Sequence, residues 1–306
     1  DMKALLGNLS DADIRLLRIF MAVARCGGLS AAELELNIGR STISRHLKDL
    51  EIRLGLTLCH RGRGGFALTQ EGSKIYEAAQ RLLSSIEDFR NQVNDVHQSL
   101  QGSISIAIFD KTVTNQACNI YQALSDYLTV APDVFINVHI VPVNKIEKGV
   151  LDGRYQVGII PTHRSSTSLE YIPLFGEQMY LYCGRSHPLF SQTESITQET
   201  ISRQRYAGLD FHSPNMDVTH QLGLNKVANA NDQEGIATLI KSGGFIGFLP
   251  EHYARSFVHS GDMKRIPSPE YEYFCQFAAL YRKSPRPTRL VEHFLEALSA
   301  RHPQND

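Results

Sequence analysis

Residues 40 to 48 hold the densest set of groups in the chain that could read a nucleic acid. Arg40, Arg45 and Lys48 are cations, Ser41, Thr42 and Ser44 carry short hydroxyls, and His46 adds an imidazole. Such groups hydrogen-bond base edges and phosphates. Ile43, Leu47, Leu50 and Leu54 recur at helical spacing, which puts Ser41, Arg45 and Lys48 on the opposite face of the same helix. A charged helix face is by itself ordinary. The residues that follow make it less so. Leu56 to Thr69 reads as two strand-like pieces around a Gly/Arg turn, a wing that could set Arg61 and Arg63 on the sugar-phosphate backbone or in the minor groove.

Other reactive side chains form no comparable set. His163, His212, His220, Asp210, Asp217 and Cys183 lack metal spacing such as HExxH, and no serine sits in a nucleophile elbow. Cys26, Cys59, Cys118, Cys183 and Cys275 show no CxxC spacing, which argues against a zinc site or a disulfide framework and fits a reducing compartment. There is no GxGxxG or P-loop fingerprint. The expectation is a non-enzyme with no catalytic residue, no metal and no cofactor.

Around the polar helix the positioning elements are legible. Ser10 and Asp13 have capping-box spacing, with Leu9 in front as a staple. They open a helix carried by Ile14, Leu17, Phe20, Met21 and Ala24, which Gly27 and Gly28 stop. Ser30 and Glu33 suggest a second capping box on a short helix to about Leu36, and Asn37-Ile38-Gly39 is the turn. The order is that of a winged helix-turn-helix. From Gln70 to Leu100 Pro is absent and Gly occurs only at Gly72. There Ile75, Ala79, Leu82, Ile86, Phe89, Val93, Val96 and Leu100 alternate spacings of four and three, the repeat of a coiled coil. Dimerisation is the preferred reading, a helix packed on its own domain the alternative, and Gly102 is the expected stop. Pairing would set two polar helices on successive turns of double-stranded promoter DNA and predicts an inverted-repeat operator.

A length of 306 residues suggests about two domains. The net charge of -1 conceals a local pattern: Ile38 to Thr69 holds six basic residues against two acidic, and Gln70 to Leu100 three against five. Positive charge is thus concentrated where DNA would lie. No N-terminal stretch has the order of a signal peptide, and no apolar run approaches the ~18 residues of a membrane span. A cytoplasmic protein without a membrane partner is expected. Beyond Gly102, strand-like segments at Ser103–Ile108, Phe135–Val143, Val157–Ile160, Leu181–Cys183 and Ile246–Phe248 alternate with helical ones at Ala123–Val130, Lys145–Leu151 and Gln233–Lys241. That order argues for an α/β domain with largely parallel strands.

The sequence resembles the LysR-type transcriptional regulators. The likeness lies in Ala32-Glu33, Ile43-Ser44-Arg45, Leu50-Glu51, Leu54-Gly55 and Leu68-Thr69-Gln70-Glu71-Gly72. Weaker signatures follow in the right order: Pro132-Asp133-Val134, Leu151-Asp152-Gly153, His187-Pro188-Leu189 and Gly243 to Pro250. The family usually carries Ser-Gln-Pro where this chain has Gly39-Arg40-Ser41. Gly is an acceptable cap, but Arg40 changes base or phosphate contacts, so an operator preference is not transferable. The resemblance implies a winged helix-turn-helix over 1–69 and a linker and dimerisation helix over 70–101. Over 102–306 it implies an effector domain of the periplasmic-binding-protein type. Its subdomain I would be 102–162 with 268–306, and its subdomain II 163–267. It also implies a homodimer or homotetramer that meets RNA polymerase.

The effector would sit in the cleft between subdomains, beyond the carboxyl ends of strands. Three segments meet that condition: Phe109-Asp110-Lys111-Thr112, which follows a strand and opens a helix; Thr162-His163; and the loop with Phe211 and His212. Hydroxyls, imidazoles and a helix terminus suit a small carboxylate, and Phe109 and Phe211 could flank an apolar body. Two rival readings are a ligand-binding protein of periplasmic-binding-protein type without DNA function, and a thiol-based redox-sensing regulator. For the latter Cys183 is the candidate, with no second Cys nearby in sequence.

Overall fold

The structure is a computed structural model that describes residues 6–210 and 221–305. Two compact units divide the chain, Asp1–Asp88 and Phe89–Asp306.

In the first unit, α1 (Asp11–Cys26) opens on the expected capping box: the Asp13 amide donates to Ser10 Oγ at 3.3 Å and the Ser10 amide to Asp13 Oδ2 at 2.9 Å. Arg53 Nε donates to Asp13 Oδ1 at 3.0 Å, and this hydrogen bond is the main reason the Asp13 carboxyl is lowered to about 2. Gly27, at φ 79°, closes the helix. The second capping box does not form. α2 (Leu29–Leu36) starts at Gly28 with no side-chain cap, and Glu33 reaches forward instead, its Oε1 accepting from the Arg40 amide at 2.5 Å. That carboxylate supplies the cap that Gly39 cannot give α3 (Arg40–Leu54). The buried core joins Leu17, Phe20, Val23 and Ala32 to Ile43, Leu47 and Leu50.

β1 (Cys59–Gly62) and β2 (Gly65–Leu68) form the antiparallel wing. Thr69 then caps α4 (Gln70–Val96): its Oγ1 accepts from the Gly72 amide at 2.8 Å and donates to the Thr57 carbonyl at 2.6 Å. A Cβ on Gly72 would stand 1.9 Å from the Leu58 carbonyl oxygen, which already accepts from the Thr69 amide. Gly72→Ala must therefore push α4 off the wing. We expect a loss of about 1–3 kcal/mol or more in denaturant unfolding of the full chain; an unchanged midpoint would mean the helix start yields freely.

The heptad pattern is divided by packing. Ala79 is core in the first unit, and Ile75 and Leu82, half-buried, pack on that core. Ile86 is half-buried, whereas Phe89, Val93 and Val96 are 69, 41 and 82% exposed. The helix also stops at Val96, not Gly102. Gln98 takes the left-handed conformation (φ 56°), while the Gln98 and Ser99 amides bond back to the Asp95 and Asn94 carbonyls. Gln seldom fills that role.

The second unit is a mixed sheet flanked by helices. Its elements are β3 (Gly102–Ile108), α5 (Ile120–Val130), β4 (Val134–Ile140), α6 (Val143–Leu151), β5 (Val157–Pro161), β6 (Leu169–Gly184), α7 (Gln198–Ser202), β7 (Arg205–Leu209), β8 (Asn225–Ala230), α8 (Gln233–Lys241), β9 (Ile246–Pro250), α9 (Glu251–His259), β10 (Met263–Arg265), β11 (Glu272–Arg282) and α10 (Arg289–Arg301). Strand order is β4-β3-β5-β11-β6-β9-β7-β8, with β10 beside β6. The expectation of largely parallel strands fails at the centre. Pairs β3/β4, β3/β5, β7/β8 and β7/β9 are parallel, but β5/β11, β11/β6, β6/β9 and β6/β10 are antiparallel. Direct pairing of outgoing β6 with returning β11 forces that sense. These two strands serve both lobes: β11 pairs with β5 in the first and β6 with β9 in the second. Their register shifts between Gln276 and Ala278.

Candidate functional site: a nucleic-acid interface and an effector cavity

On α3, burial separates the two faces. Ile43, Leu47 and Leu50 are at most 1% exposed, while Arg40, Ser41, Arg45 and Lys48 are exposed and Thr42, Ser44 and His46 half-buried. Arg63 lies in the turn between β1 and β2. Arg61 is held differently. From β1 it folds back on α3, its Nη1 donating to the Ser44 hydroxyl at 3.1 Å and its Nη2 to Glu51 Oε2 at 3.2 Å. Glu51 Oε1 also accepts from the Leu58 amide at 2.9 Å, so one carboxylate ties the helix to the wing. Sequence spacing places Arg61 beside Arg63 but conceals this clamp.

A second site is a cavity of about 430 Å³ at the carboxyl ends of the strands. Phe109 and Asp110 follow β3; Ile140, Val141 and Pro142 lead from β4 into α6, whose Asn144 and Lys145 also line it. Asp210 follows β7, and Asn231 and Asp232 join β8 to α8. Asp110 is 7% exposed and its Oδ2 accepts from the Gln233 amide at 2.8 Å, capping a helix of the other lobe. Burial raises its carboxyl, and the neighbouring Asp232 charge adds to the rise. Asp232 Oδ1 caps the same helix through the Gly235 amide at 2.8 Å. Nearby, Thr114 Oγ1 lies 2.6 Å from His252 Nδ1, and His252 Nε2 lies 2.7 Å from the buried Glu177 Oε2.

Only part of the expected pocket assembles here. Phe109 and Asp110 line it; Lys111 and Thr112 do not. The segment opens no helix, since α5 begins only at Ile120, and Lys111 (φ 60°) turns toward Glu234 at 3.6 Å. Thr162 and His163 also lie off the cavity lining. The Thr162 hydroxyl donates to the Gln276 carbonyl at 2.9 Å, and His163 Nε2 is 2.5 Å from Glu147 Oε1. Phe211 and His212 lie outside the described residues. Sequence reasoning missed Pro142, Asn144, Lys145, Asn231 and Asp232, although strand-to-helix junctions after β4 and β8 carry the signal used for Phe109. Cys183 is buried, and burial pushes its thiol up to about 11, which disfavours a reactive thiolate. Among the described residues no helix is long and apolar enough to cross a membrane.

Comparison with known proteins places both units. The family described as "Bacterial regulatory helix-turn-helix protein, lysR family" matches residues 14–73, and "LysR substrate binding domain" matches 97–303. The HTH-type transcriptional activator BauR of Pseudomonas aeruginosa is 43% identical over 295 residues, covering 96% of this chain and 97% of that protein. The HTH-type transcriptional regulator GltR of Bacillus subtilis is 24% identical over 285 residues, covering 92% and 95%. The solved structure of CbnR, a LysR family transcriptional regulator, superposes with a TM-score of 0.65 at 19% identity, covering 95% of this chain and 99% of that one. CbnR bound to its target DNA gives 0.63 at 19% identity, covering 94% and 99%. These structural likenesses show the fold.

Proposed function

Because the chain belongs to the LysR family of DNA-binding transcriptional regulators, which are not enzymes, we propose that α3 and the wing are its DNA-reading surface and the cavity its effector site. The observation that carries the first part is the segregation on α3, where the apolar stripe is consumed by the core and the cationic face is left open. Arg40, Ser41, Thr42, Ser44, Arg45, His46 and Lys48 enter the major groove of promoter DNA, and Arg61 and Arg63 meet its backbone. Phe89, Val93 and Val96 pair two copies, giving an inverted-repeat reader that assembles as a homodimer or homotetramer in the cytoplasm and contacts RNA polymerase. A small carboxylate effector binds where Phe109, Asp110 and the α6 N-terminus meet. It shifts the lobes only as far as its affinities for the two arrangements differ.

Arg63→Ala tests the wing. Affinity for a promoter fragment and for random DNA should fall about equally, and the slope of log affinity against log salt should flatten by about one. Anisotropy titrations at several salt concentrations read both quantities. An unchanged slope would remove Arg63 from the phosphate contacts.

A further inference from the structure

The cavity wall is strongly biased in charge. Among the described residues its titratable groups are three carboxylates, Asp110, Asp210 and Asp232, and one cation, Lys145. The acids gather at one place. Asp210 follows β7 directly, its amide bonded to the Ala230 carbonyl at 2.9 Å, and Asn231 and Asp232 come next in the chain. Asp110 joins them through the Gln233 amide. Asp110 and Asp232 each commit an oxygen to α8 through these bonds, and no cation pairs with Asp210 among the described residues. Gln233 itself is 2% exposed, and its Oε1 has no donor among the described residues. Lys111, paired with Glu234, also brings positive charge toward Asp110, yet among the described residues this end of the site holds more acceptors than donors, in a setting where unpaired acceptors are costly.

The other end has the opposite character. α6 begins after Pro142 with no side-chain cap, and Lys145 stands in its first turn. Free backbone N–H groups and a lysine there favour a carboxylate. A simple carboxylate would satisfy that end and leave the three acids facing bound negative charge. A simple amine would do the reverse.

We propose that the effector is a small zwitterion, a molecule carrying both a protonated amine and a carboxylate. Its ammonium donates to Asp210, with Asp110 and Asp232 beside it, and its carboxylate accepts from the α6 N-terminus and Lys145. A cavity of about 430 Å³ suits a ligand of metabolite size. The inference rests on the cavity being the effector site.

Isothermal titration of the full-length protein tests it, using straight-chain ω-amino acids of two to five carbons against butanoate, butylamine and succinate. At least one amino acid should bind, with each control at least tenfold weaker. Asp210→Asn should weaken that amino acid at least tenfold. Lys145→Ala, on the other lobe, gives an independent reading: it should weaken the amino acid while leaving butylamine unaffected. Succinate or butanoate binding as tightly as the amino acids, no amino acid binding, or full affinity in both variants would each overturn the proposal. Promoter binding by the unliganded wild-type protein is measured alongside. Intact DNA binding with no amino-acid binding would sink the ligand class and leave the regulator standing.

Discussion

Arg45→Ala is expected to lower affinity for the specific operator about ten- to a hundredfold, the range set by one bidentate contact to a base. Random DNA should lose far less. The reasoning is geometric. Arg45 lies in the middle of the exposed face of α3, on the side opposite Ile43, Leu47 and Leu50. No carboxylate pairs with it among the described residues, in contrast to Arg61, so its guanidinium is free to dock. Competition binding with operator and scrambled duplexes separates the roles. A similar loss on both would reduce Arg45 to a phosphate contact.

Phe89→Asp should have the larger consequence for assembly. Phe89, Val93 and Val96 continue the four-three spacing beyond the part of α4 that the first unit buries, and they stay exposed. An apolar row of this kind is stable in water chiefly when covered. A carboxylate in its midst must be desolvated on pairing, so sedimentation should show monomers where the parent shows dimers. Operator affinity should then fall by about a hundredfold or more, because two reading heads no longer bind as one. Dimers that persist would move the seam to another surface.

These two substitutions bracket what the sequence made legible. Capping by Ser10, the stripe of α3 and the wing are local patterns, readable because i, i+3 and i+4 neighbours are fixed by the helix itself. Less visible were interactions that cross between elements. Glu33 caps the next helix rather than its own, and Asp110 caps α8 from more than a hundred residues away. The heptad repeat was real, yet its first three members also pack in or on the domain core, a contact that periodicity alone does not reveal. Strand ends located Thr162 and His163 but not their hydrogen-bond partners, Gln276 and Glu147, which lie far off in the chain or on another element. The alternation beyond Gly102 likewise revealed helices and strands but not the antiparallel centre, which depends on which strand returns beside which.

The hold of Glu51 on Arg61 sets a threshold on the wing. A phosphate that approaches this guanidinium competes with a carboxylate already seated on it, and that carboxylate is itself held by the Leu58 amide. The protein thus carries an internal rival to its own polyanionic partner. Isolated or poorly registered phosphates lose that contest, and a duplex that also satisfies α3 can win it. With Arg61 on the DNA backbone as proposed, discrimination would start before any base is read, as a competition between two anions for one arginine.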